Sequence, residues 1–78
     1  MTTDIDELYS MVNSFMRILG EEPFARTNED TDKKELKSLM DRYVSRLRSR
    51  EPKFAGIPDE LIPDALLQPL RAAYAKMP

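Results

Sequence analysis

Seventy-eight residues, 41% of them hydrophobic, with a net charge of −2, make one small domain with one core. The chain has no cysteine and no histidine, which removes disulfides, a thiolate nucleophile, the usual general base and the usual zinc ligands. No apolar run approaches the ~18–20 residues of a membrane span, and the acidic N-terminus is unlike a signal peptide, so a cytoplasmic location is expected.

Helix 1 is predicted over residues 4–19. Ile5, Leu8, Tyr9, Val12, Phe15, Met16 and Leu19 recur at helical spacing, Asp4 and Glu7 form a cap pair, and Gly20 is the stop. Residues 21–30, EEPFARTNED, read as a polar loop from which Phe24 is expected to tuck back onto the helix ends.

Helix 2 is the best-specified element, over residues 31–50. Leu36, Leu39, Met40, Tyr43, Val44 and Leu47 form its stripe. Asp32 and Glu35 stand where a capping side chain and its return partner belong, arginines crowd the last turn, and Pro52 ends the run.

The rest is punctuated by proline. A connector around Gly56 leads to a short turn at 58–61 and then to helix 3 over 63–76, with Leu66, Leu67, Leu70, Ala73, Tyr74 and Met77 as its stripe. Pro69 lies too deep for a first turn of that helix, so a kink or a split near Gln68 is expected. The fold expectation is therefore all-α: a small three-helix bundle over residues 1–78, helices 1 and 2 an antiparallel hairpin, the third helix proline-kinked.

Shifting the chain by 28 residues superposes Thr3-Asp4-x-x-Glu7-Leu8-x-Ser10 on Thr31-Asp32-x-x-Glu35-Leu36-x-Ser38. Glu22-Pro23-Phe24-Ala25 and Glu51-Pro52-Lys53-Phe54-Ala55 extend the likeness. Duplication explains it, and so does convergence on good caps and one helical period.

Charge is distributed unevenly. Residues 1–30 carry −5, residues 31–53 carry +4 and the remainder −1, which favours packing the first two helices against each other. Oxygen side chains across residues 28–32 imitate the start of a calcium loop, but the glycine position is Lys33 and the twelfth position is Leu39. Serines lack a candidate base, and two glycines cannot build a phosphate loop. No enzyme, no cofactor, no small-molecule substrate and no metal site are expected.

Two surfaces remain. Met11 and Ile18 lie on one line just outside the helix 1 stripe, as an interface to another protein or to a second copy of the chain, or as the edge of a wide buried stripe. Arg42, Arg46 and Arg50, extended by Lys53, line one shoulder of helix 2, where Ser45 and Ser49 accompany them. The favoured reading is a protein-binding adaptor, regulatory subunit or inhibitor that self-associates. The alternative is a small DNA- or RNA-binding protein using the basic shoulder.

Overall fold

In the computed structural model, residues 5–50 and 66–78 are described, with only the backbone of Arg50 included. They form three helices, α1 (Ile5–Leu19), α2 (Asp32–Arg50) and α3 (Leu67–Lys76), and no strand among the described residues. The expected small all-α bundle is what these residues build. The Asp4 cap, the Gly56 connector, the turn at 58–61 and the start of helix 3 at 63–65 lie outside the described residues, as do Lys53 and Phe54.

Each helix buries the stripe its sequence period specifies. Ile5, Leu8, Tyr9, Val12 and Met16 of α1 meet Leu36, Leu39, Tyr43 and Leu47 of α2 and Leu67, Leu70 and Ala73 of α3 in one core. Phe15, Leu19, Met40, Val44, Leu66, Tyr74 and Met77 line its margin, half-buried. Under the seam the rings of Phe15 and Tyr43 meet edge to face, centroids 6.3 Å apart, a favoured arrangement of the ring quadrupoles.

The helix ends follow local chemistry. At the C-terminus of α1, Gly20 adopts φ +77°, its N–H donates to Arg17 O at 3.0 Å, and the Glu21 N–H donates to Met16 O at 2.8 Å. That pair of bonds is the Schellman motif, and glycine enters its left-handed position without a Cβ penalty. At the start of α2 the capping residue is Thr31 rather than Asp32: its Oγ1 accepts from the Lys34 N–H at 3.1 Å. Glu35, expected to complete that cap, is buried elsewhere. Pro69 is the third residue of α3, so it falls in a first turn, where its missing N–H breaks no helical bond.

Contacts between α1 and α2 correct the expected antiparallel hairpin. Tyr9, early in α1, bonds to Glu35, early in α2. Glu21, just past the end of α1, meets Arg46, near the end of α2, at 3.4 Å. Equivalent ends therefore lie side by side, and the two helices run in the same sense. Residues 21–29, neither helical nor strand, return alongside both helices to make this possible. Nine residues of extended chain reach about 30 Å, enough to pass back along a 15-residue helix of about 22 Å. The polarity of residues 21–30 identifies a loop, and polarity does not report the direction in which a loop travels. At the other side of α2, the Lys33 ammonium sits 4.8 Å from the centroid of the Tyr74 ring, which brings the end of α3 to the start of α2.

Candidate functional site

Glu35 is the centre of the polar side of the molecule. It occupies the first turn of α2, its side chain only 1% exposed, among residues of the returning segment. Its Oε2 accepts from the Tyr9 hydroxyl, from the Thr27 N–H at 2.9 Å and from the Thr27 hydroxyl at 3.0 Å, while Oε1 accepts from the Glu29 N–H at 3.0 Å. The Arg26 and Arg42 guanidinium groups stand 3.7 and 3.9 Å away. Burial alone raises the pKa of this carboxyl, but the bonds from Tyr9, Thr27 and Glu29 stabilise its ionised form and bring it down to about 2. The charge is compensated, which is the condition for burying it.

Tyr9 joins the same network from α1. Its hydroxyl donates to Glu35 and accepts from Arg42 Nη2 at 2.6 Å, and Arg26 and Arg42 lie 5.4 and 5.8 Å from its ring centroid. Burial and the neighbouring Glu35 carboxylate push the Tyr9 pKa up, against the opposing pull of Arg42.

The returning segment is gripped along its length. Asn13 of α1 reads the backbone of Phe24 twice, its Nδ2 donating to Phe24 O at 3.1 Å and its Oδ1 accepting from Phe24 N at 2.7 Å. Phe24 is buried, with the Arg42 and Arg46 guanidinium groups 5.5 and 4.9 Å from its ring centroid. Arg42 Nη1 donates to Ala25 O at 2.7 Å, and Arg46 Nη1 to Glu22 O at 3.3 Å. Arg26 pairs with Asp6 at 2.6 Å. Phe24 does tuck back as its sequence suggests, onto the side of the helix pair rather than its ends.

This places the basic shoulder. Arg42 and Arg46 point at the chain's own backbone carbonyls, aromatic faces and acids, while the Arg50 side chain and Lys53 lie outside the described residues. The lysines of α2 are engaged as well: Lys34 with Asp30 at 3.7 Å, Lys37 with Asp41 at 3.1 Å, and Lys33 with Tyr74. Sequence reasoning missed Tyr9, Asn13, Arg26 and Glu35 as a polar cluster. One signal was present, because at 100° per residue Glu35, Arg42 and Arg46 share one line on α2, and an acid heading a row of arginines points to an internal ion network.

The other flank of α1 is apolar. Met11 is half-buried against the core, beside the half-buried Phe15 and Leu19, whereas Ile18 is 80% exposed. The two residues share a line on the helix but not an environment. Among the described residues, no three His, Cys, Asp or Glu side chains gather where a metal ion could be held, and no helix is long and apolar enough to cross a membrane. Compared with known proteins, the chain matches no family model, no curated protein and no solved structure.

Proposed function

We propose that the chain is a non-enzymatic protein-binding module, an adaptor, regulatory subunit or inhibitor of a larger machine, that binds through helical apolar surface and self-associates. The observation that carries this reading is Ile18, a large aliphatic side chain 80% exposed on a helix flank where Met11, Phe15 and Leu19 are half-buried. Covering one such side chain contributes about 2 kcal/mol to an interface. A helix offering apolar anchors four and seven residues apart suits a groove or another helix.

The alternative use of Arg42, Arg46, Arg50 and Lys53 on nucleic acid is weakened by the internal engagement of Arg42 and Arg46. A phosphate would have to compete with the bonds that hold residues 21–29 in place. Ile18→Lys tests the reading directly. The variant should remain helical by circular dichroism and lose association by light scattering and by capture of the native partner. Titration with DNA or RNA at low salt tests the rival, and tight binding that weakens steeply with added salt would replace protein binding as the function.

A further inference from the structure

We propose that two copies of this chain exchange the unit made of α1 and residues 21–27, opening a hinge at residues 28–30, so that the α1 unit of one copy docks on α2 of the other. This deepens the self-association part of the functional reading, and it uses a different surface from Met11 and Ile18.

Three observations lead to it. First, α1 and residues 21–27 cohere as one body: Asn13 holds Phe24 by two bonds, and Arg26 pairs with Asp6. Second, the contacts of that body with α2 do not depend on the chain connecting them. Tyr9 with Glu35 and Arg42, Thr27 with Glu35, Glu21 and Glu22 with Arg46, and Phe15 with Tyr43 can all form between copies as they form within one. The two bodies carry opposite net charge, −3 over residues 1–27 and +4 over residues 31–53, so an unattached α1 unit is drawn to an uncovered α2.

Third, the connection that closes the monomer is exposed and conformationally costly. Asn28 has φ 58°, in the left-handed region that a non-glycine residue enters at a penalty. Here the returning segment reverses before the Thr31 cap and the start of α2. Straightening residues 28–30 removes that reversal at the cost of the Glu29 N–H bond to Glu35, and leaves the contacts named above to be remade in trans. Exchange of an identical element through a strained hinge is a low-cost route to a dimer.

The test uses the native protein and two hinge variants. Sedimentation equilibrium across a wide concentration range should show monomer and dimer. Asn28→Pro, whose φ cannot be positive, should lower the dimer dissociation constant by at least about tenfold. Asn28→Gly, which removes the hinge penalty, should raise it by about fivefold. The dimer's structure is read by mixing isotope-labelled with unlabelled chains. Phe15 to Tyr43 ring contacts seen between chains in isotope-filtered spectra support exchange. A dimer in which those contacts stay within one chain overturns it, as does an Asn28→Pro protein that folds and stays monomeric. Should Asn28→Pro fail to fold, the native dimer and Asn28→Gly decide, and a native chain that is monomeric at every concentration overturns exchange. Ile18→Lys separates the two ideas. If it abolishes all self-association, exchange falls and the apolar flank stands; if the exchanged dimer survives it, exchange stands independently.

Discussion

The two flanks of α1 have opposite fates. On one, Tyr9 and Asn13 are covered by residues 21–29, the exposed Asp6 pairs with Arg26, and the polar groups find partners in Phe24, Glu35 and Arg42. On the other, Met11, Phe15 and Leu19 are half-buried and Ile18 stands in solvent. The polar flank has directional bonds that demand specific partners, so the chain supplies them itself. The apolar flank makes no such demand, and Ile18 is left exposed there. Charged and polar groups thus fix the path of residues 21–29 across an apolar core, and Ile18 is the hydrophobic residue that this packing leaves over.

Breaking the polar flank at its centre should have the largest effect. Glu35→Ala removes the acceptor of Tyr9, Thr27 and Glu29 and leaves their donors unmatched, at a cost of about 3–5 kcal/mol by urea melt. That is a large share of the roughly 4–12 kcal/mol expected of a domain this size. A loss below about 1 kcal/mol would mean that residues 21–29 are held by the Asn13, Arg42 and Arg46 bonds and by packing, without Glu35. Acid titration sharpens the same point. The folded-state pKa of Glu35 lies below its unfolded value of 4.5, so its contribution is fully present above that value. It is lost progressively as pH falls from about 4.5 toward about 2. Glu35→Gln should flatten stability against pH across that window; an unchanged slope would assign acid sensitivity to other carboxylates.

Next in size is the seam beneath both flanks. Tyr43 is 2% exposed and meets Phe15, so Tyr43→Ala should cost about 3 kcal/mol, with both flanks loosened together. Asn13→Ala then isolates one clamp on the returning segment. It should cost about 1–2 kcal/mol and increase amide exchange at Phe24, while the environment of Ile18 stays unchanged. The smallest effect on stability belongs to Ile18→Lys, under about 0.5 kcal/mol, because the side chain has almost no packing to lose. A melt showing Ile18→Lys to be as damaging as Tyr43→Ala would erase the contrast between the flanks.

The internal echo shows how far a pattern can be read. Glu7 and Glu35 occupy matching places in the two superposed stretches, yet Glu7 is exposed and Glu35 is among the most buried side chains in the molecule. Identical local chemistry predicts an N-terminal cap for both. At α2 that role passes to Thr31, one residue earlier than expected, and Glu35 is left to accept bonds from residues 27 and 29 and from another helix.

By itself the sequence determined the existence of α1, α2 and α3, the apolar residues each buries, the glycine stop after Leu19 and the inward turn of Phe24. Those features rest on periodicity and on short-range backbone chemistry, which operate within a few residues. Tertiary structure decided the common direction of α1 and α2, the return path of residues 21–29, the internal commitment of Arg42 and Arg46, and the burial of Glu35. Each of these depends on which polar groups meet across 6 to 33 positions of chain. A carboxylate or a guanidinium carries the same charge on the surface as inside. Whether it stays hydrated or becomes a buried hydrogen-bonding centre is settled only when desolvation and its partners are balanced in the folded chain.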